Sequence, residues 1–422
     1  MSGIAALIAL IRGNRNFRLL WFGQIVSQLG DWFNVVALYA LLFELTGSAT
    51  AVAGMMVMQL LPVALVGPVS GVVVDRFDRR RIMIAADLLR GTAVLGLLLV
   101  RSPDAVWLAY VVTGVMVACS GFFEPARSAT VPSIVPRDQL VAANAISTGT
   151  WSAMLAIGAS LGGGVTVLFG RDAAFVLNSL SFFASALFLW RMQSPARDAI
   201  LRAALGLRGV MDGLSYMRRH SDVARIALIK GGWAIVGGAL LLLTVFGDRI
   251  FRIGDSSDAG IGILFGARGI GALTGSLAVS LIAARQGNLI RLIGPSYFVA
   301  GACYAALSIV PTIWLAAAVV MAAHVFGSIL WVSSNVLLQM KVPDEFRGRV
   351  FAAELIVMAL VQSVVAYATA VALDRGQSGP RMLAAVVGFA LWIPAALWLL
   401  SANRQTPTRQ PPRYSTTVRP DW

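Results

Sequence analysis

The sequence predicts an all-α membrane protein: twelve transmembrane helices in two six-helix bundles, with both termini cytoplasmic. Three observations lead there. Hydrophobic residues make up 58% of the 422 positions and charged residues only 13%, and the mean hydropathy is +0.78. A soluble domain carries about 25% charged residues and could not hide so much apolar surface. The apolar residues gather into runs of about 20, the length that crosses a bilayer as a helix. Lys and Arg fall in alternate breaks between the runs, the pattern that fixes orientation.

The first six windows are residues 17–44, 50–74, 82–101, 104–126, 140–169 and 173–192. The second six are 223–247, 259–284, 290–310, 312–340, 351–374 and 380–401. The windows 140–169 and 312–340 are long for one crossing and imply tilt or extension beyond the bilayer. With the N-terminus inside, the inner segments hold 25 Lys and Arg against 6 outside, while Arg90, Lys230 and Arg268 fall within spans. That asymmetry assigns both termini to the cytoplasm.

The opening MSGIAALIALIRGNR places its apolar run ahead of its arginines, the reverse of a secretory leader, and reads as a short cytosolic amphipathic segment. The polar break 193–222 reads as a cytoplasmic linker with a surface helix around Leu207 to Arg219. It separates an N-terminal bundle, 1–192, from a C-terminal bundle, 223–402. Residues 403–422, with four prolines and four arginines, read as a disordered basic tail.

A net charge of +14 on a soluble chain would suggest nucleic acid. Here the basic residues occupy topology positions, so the expected surroundings are a lipid bilayer and not nucleic acid. Cys119 and Cys303 both lie in apolar runs, and His220 and His324 are the two histidines. These give neither metal-ligand spacing nor a disulfide framework, and no cofactor is expected.

The halves repeat. Val135-Pro136-Arg137-Asp138 follows the fourth span and Val342-Pro343-Asp344-Glu345 follows the tenth, an offset of 207 residues. A parallel repeat of two six-helix halves is a plan of secondary transporters, with a substrate cavity between the halves near mid-membrane.

Ionisable groups inside a bilayer cost about 2.5–3.5 kcal/mol on insertion scales, so they face a cavity or a partner. Gln24, Gln28 and Asp31 are spaced i, i+4, i+7 on one face of span one, and Asn34 extends it. That face is expected to line the cavity, with Asp31 as a proton or cation site; a structural hydrogen-bond network is the alternative. Arg268 in span eight needs a partner or a wet cavity. In span ten, His324 is either a satisfied core residue or a proton relay, and Asn335 and Gln339 add polar groups. In span eleven Glu354 and Gln362, eight residues apart, share nearly one face; Gln362 joins the cavity set, and Glu354, near the cytoplasmic end, is either a second polar group on that face or a helix-end charge. Asp87 and Arg90, three apart, are expected to pair with each other. Phe33, Trp151, Trp233 and Trp331 are candidates to contact an apolar substrate.

The loop after span two, GVVVDRFDRRR, packs six charges into the seven positions from Asp75 to Arg81. It resembles the Gly-x-x-x-Asp-Arg-x-Gly-Arg-Arg signature of the major facilitator superfamily at Gly71, Asp75, Arg76, Arg79 and Arg80, with Asp78 in place of the second glycine. FRLLWFGQIVSQLGDWF (17–33), FEPARSATVPSIVP (123–136) and VPDEFRGRVFA (342–352) resemble the branch of bacterial macrolide-efflux and enterobactin-exporter proteins. The resemblance implies the major facilitator fold and a gating role for the loop. Asp75 would approach the N-terminal end of span eleven near Gly348 to Val350, and Arg79 would pair with Glu124, contacts that would latch the halves in the outward-facing state and break in the inward-facing one. Span five also resembles the antiporter signature Gly-Pro-x-x-Gly-Gly at Gly158, Gly162 and Gly163, without its proline. Close helix packing through small residues is the alternative reading of those glycines.

No Gly-Lys-Ser/Thr phosphate loop is present, since Lys230 precedes Gly231 and Lys341 precedes Val342. No catalytic constellation appears, so the chain does not read as an enzyme. The resemblance implies a proton-coupled exporter, an antiporter of amphipathic small molecules such as drugs, macrolides or a siderophore. It would work by alternating access as a monomer in a bacterial cytoplasmic (inner) membrane. An importer or lipid-handling member of the same fold, or a non-transporting sensor or scaffold, stays open at this point.

Overall fold

A computed structural model describes residues 3–136, 139–193, 207–253, 258–282 and 286–402. The described chain is helical almost throughout. A short helix α1 (Gly3–Gly13) leads into α2 (Arg15–Thr46), which starts at the N-cap Asn14. The Asn14 side chain accepts from Phe17 N at 2.9 Å and donates to Ile134 O at 2.5 Å, so one residue caps a helix and ties it to a neighbour. The first bundle continues with α3 (Ala49–Met58), α4 (Leu61–Arg76), α5 (Arg79–Val94), α6 (Val106–Ile134) and α7 (Leu140–Arg191). After α8 (Leu207–Arg219) come α9 (Ser221–Trp233), α10 (Val236–Val245), α11 (Asp258–Ile282), α12 (Gln286–Ala306), α13 (Ile313–Lys341), α14 (Asp344–Asp374), α15 (Pro380–Ala390) and α16 (Trp392–Ala402).

Among the described residues, ten helices are long and apolar enough to cross a membrane. Three of the windows expected from sequence take another form, for local reasons. Window 50–74 is interrupted at Gln59–Leu60, between α3 and α4, where Pro62 enters the first turn of α4 and cannot donate a helical hydrogen bond. Windows 140–169 and 173–192 join in α7, whose 52 residues would reach about 78 Å if straight. They are not straight. Gly170 sits at φ 81°, ψ 166°, outside helical space and open mainly to glycine. The chain reverses there: Gly158 before the break lies against Trp32 of α2, and Ser181 after it lies against Gly30 of the same helix.

The two bundles have a common near end, which carries α1, and a far end. At the near end Arg80 donates to Leu189 O at 2.8 Å, and Asn16 accepts from Gln193 N at 3.1 Å. In the second bundle Lys341 pairs there with Asp222 at 2.9 Å. The helix α8 belongs to this end of the second bundle. Its Tyr216 stacks on Phe346 of α14 at 4.7 Å, and its Asp212 lies 3.4 Å from Arg349.

The bundles meet along α7 and α11, α2 and α11, and α3 and α14. The α7–α11 crossing is a backbone contact. A Cβ on Gly163 would sit 2.8 Å from Gly262 Cα, and one on Gly269 would sit 2.2 Å from Ala156 Cα. Such small-residue seams let helix backbones approach where lipid supplies no hydrophobic drive.

Charged contacts join the bundles at the far end. Asp374 at the end of α14 accepts from Ser48 Oγ at 2.7 Å, Thr50 N at 2.8 Å and Ala49 N at 2.9 Å, filling the N-terminus of α3. Arg171 pairs with Asp258 at 3.3 Å, and Arg249 donates to Gly47 O at 2.7 Å.

Candidate functional site: a polar cavity between the bundles

A cavity of about 660 Å³ lies between the bundles. From the first bundle it takes Gln24, Gln28 and Asp31 of α2, Arg90 of α5, and Glu124 and Arg127 of α6. From the second it takes Trp331 and Asn335 of α13. It extends toward the near end, where Val131 in its wall is one turn from the close of α6. Trp32 and Trp151 complete an aromatic lining.

The helical spacing of Gln24, Gln28 and Asp31 explains why all three face this space. Asp31 accepts from Arg90 Nη2 at 3.0 Å, and Asp87 accepts from Arg90 Nη1 at 3.2 Å. One guanidinium thus bridges two carboxylates. Asp87 is fully buried, whereas the Asp31 side chain is 37% exposed to the cavity. The Arg90 guanidinium also lies 4.0 Å from the Phe182 ring centroid, a cation–π contact that fixes its plane. The Asp87–Arg90 pair read from sequence is present, and Asp31 joins it from 59 residues away. Gln24 accepts from Arg127 at 3.5 Å and donates to Ser147 O at 3.4 Å.

Other expected cavity residues sit elsewhere. Asn34 is buried, with an Oδ1 that has no hydrogen-bond partner among the described residues. His324 is buried in the second bundle, bonded through Nε2 to the Tyr304 hydroxyl at 2.6 Å and set edge-on to Trp233. It is a satisfied core residue, because α12 and α9 cover the face of α13 that carries it. Arg268 packs between the bundles, 5.8 Å from the Trp32 ring centroid, and does not line the cavity. Gln362 lies against Gly237 of α10, also away from it. Gly158 and Gly162 seat α7 against Trp32 and Phe33 of α2, and Gly163 seats it against α11.

Arg79 donates to Ala129 O at 2.8 Å, and Glu124 is held by Arg127 at 2.8 Å, so the Arg79–Glu124 pair expected of the outward-facing state is not made in this structure, whose cavity extends toward the near end. Arg127 lies one turn from Glu124 on the same helix. Asp78 caps α5 by accepting from Arg81 N at 2.8 Å, a role the replaced glycine could not fill. Arg76 ends α4. Gly71 lies within α4, while the side chain of Asp75 lies outside the described residues, and so does its expected contact with α14.

A second buried cluster was not read from the sequence. Lys230 pairs with Glu354 at 2.7 Å, and both side chains are almost wholly buried. Lys230 Nζ also donates to Asn335 Oδ1 at 2.7 Å, and Glu354 Oε1 accepts from Ser334 Oγ at 2.7 Å. Glu354 is therefore not a helix-end charge. The available signal was that two opposite charges inside apolar windows, without local partners, must find each other.

The fold and this inter-bundle cavity define a polytopic membrane protein of the transporter type. The family model for transmembrane secretion effectors of the major facilitator superfamily matches residues 7–403, and the chain belongs to that family. It is 28% identical over 408 residues to the uncharacterized MFS-type transporter YfiS of Bacillus subtilis, covering 90% of each chain. It is 25% identical over 365 residues to macrolide efflux protein A of Streptococcus pyogenes, covering 85% of this chain and 89% of that one. Among solved structures, a POT family transporter in complex with 5-aminolevulinic acid superposes with a TM-score of 0.75 at 11% identity, covering 92% of this chain and 96% of that one. That likeness is one of fold.

Proposed function

We propose that this chain is a secondary active exporter of amphipathic small molecules, such as macrolides or a siderophore, driven by proton entry. The observation that carries the reading is the cavity itself. It holds an Asp31–Arg90–Asp87 bridge in a tryptophan-lined space that extends toward the near end, while charged contacts join the bundles at the far end. In this reading the near end is cytoplasmic, as the Lys and Arg distribution supports. Both termini lie there, and the chain crosses a bacterial cytoplasmic membrane twelve times as a monomer. The α3–α4 pair counts as one crossing and α7 as two.

The mechanism follows from the bridge. A proton bound at Asp31 removes the negative charge that holds Arg90 Nη2, leaving Arg90 with Asp87 alone. Substrate leaves the inward cavity as the bundles rock about the α7–α11 seam, and the proton is released inward when Asp31 recovers Arg90. One proton enters for each rearrangement of the bridge. The resemblance to macrolide efflux protein A supports the direction and the substrate class.

The test is efflux from a pump-deficient bacterial host, with and without a protonophore. Protonophore-sensitive resistance or dye efflux is expected. In everted vesicles Asp31→Asn should abolish proton-dependent efflux while membrane insertion persists. Full proton-dependent efflux by that variant would remove Asp31 from the coupling role.

A further inference from the structure

The buried Lys230–Glu354 pair serves neither the Asp31 bridge nor the contacts at the far end. It stands directly behind the cavity wall. Lys230 Nζ lies 4.7 Å from the centroid of Trp331 and 2.7 Å from Asn335 Oδ1, and both partners line the cavity. The 207-residue offset between the bundles places Trp331 opposite Glu124 and Asn335 opposite Ser128. Those two residues line the cavity from the first bundle. Asn335 therefore occupies a wall position on a repeat-related helix.

An ammonium group has donors and no acceptor. The Asn335 amide must turn Oδ1 toward it, which sends the two N–H bonds of Nδ2 along the other branch. Lys230 is itself fixed by Glu354, whose second oxygen is held by Ser334. The chain Ser334–Glu354–Lys230–Asn335 decides which face of an amide the cavity meets. The opposite wall offers the reverse chemistry, since the Asp31 carboxylate only accepts.

We infer that Asn335 is a substrate-binding donor and Lys230 its positioning residue. Together they make the second bundle's wall select molecules that carry a hydrogen-bond-accepting oxygen on an apolar skeleton, stacked against Trp331. This rests on the transport reading above and names the substrate chemistry of the same cavity.

The experiment uses full-length protein in proteoliposomes with an imposed proton gradient and two transported probes. Erythromycin is rich in acceptor oxygens, and ethidium is a cation with none. Asn335→Asp keeps an oxygen for Lys230 and removes the N–H donors. Its KM for erythromycin should rise roughly two- to ten-fold, the span of one net hydrogen bond, with kcat unchanged and the ethidium KM not raised, since the added carboxylate favours that cation. The double variant Lys230→Met with Glu354→Gln removes both buried charges and leaves the amide free to turn. It should show the same selective rise, whereas a purely structural pair predicts an unchanged KM. The Asn335 variant retains the ion pair, so it decides the matter even if the double variant fails to insert. An unchanged erythromycin KM, or an equal rise for ethidium, overturns the inference. So does a wild-type protein that moves ethidium and not erythromycin. A wild-type protein that moves neither overturns the transport reading instead.

Discussion

Removing the Asp374 carboxylate should open the far end. This side chain closes the second bundle onto the first by accepting three hydrogen bonds, two of them from backbone N–H groups in the first turn of α3. Those groups have no partner within their own helix. An acceptor at a helix N-terminus contributes about 0.5–2 kcal/mol, and its negative charge about 0.3–1 kcal/mol. Asp374 is exposed, so the lower part of the combined range applies, about 1–2 kcal/mol. Because the three contacts cross between bundles, that loss falls on the closed state alone. The ratio of closed to open protein should drop roughly 5- to 30-fold in Asp374→Ala. Asp374→Asn, which keeps one acceptor, should fall between. Spin labels at Asp104 and Gln377, exposed sites on the two bundles at this end, report the change by pulsed electron resonance after Cys119 and Cys303 are replaced by serine. A new population at longer distance is expected. An unaltered distribution in Asp374→Ala would refute the reasoning, because the contact would then carry no conformational weight.

Other outcomes follow from the packing. Arg90→Ala leaves Asp87 buried without its cation and should cost about 3–5 kcal/mol, read as a lowered Tm in detergent; adding Asp87→Asn should recover most of it. Gly163→Val forces the α7–α11 backbones apart, since its Cβ would sit 2.8 Å from Gly262 Cα. Normal insertion with lost transport is expected in vesicles. Tyr216→Ala removes the stack on Phe346 that docks α8, so limited trypsin digestion should cut faster at Arg208, with little change in Tm.

The spans were legible because the bilayer imposes one rule on every crossing, a long apolar run. What interrupts a run was less so. The window 50–74 is apolar enough on average to hide the break at Gln59–Leu60, and only Pro62 hints at it. Within the cavity, Gln24, Gln28 and Asp31 could be read from helical spacing, and Asp87 with Arg90 from their proximity in sequence. The Asp31–Arg90 and Lys230–Glu354 pairs join residues 59 and 124 apart, beyond any local period. His324, Arg268 and Gln362 show the complementary limit. Sequence gives a side chain's depth and helical face, but not which neighbouring helix covers that face.

The seam between α7 and α11 constrains the chain in another way. Gly163 and Gly262 face each other there, as do Ala156 and Gly269, and none of the four carries a functional group. Polar and aromatic residues of the cavity wall outside the Asp31–Arg90–Asp87 bridge can change one at a time and alter selectivity without stopping transport. On the proposed rocking motion, a single added methyl at the seam acts on every substrate alike, because it holds the two backbones apart. Resistance to variation should therefore run highest at positions with no chemistry of their own, and a survey of tolerated substitutions would find the bearing of this protein before it found the binding site.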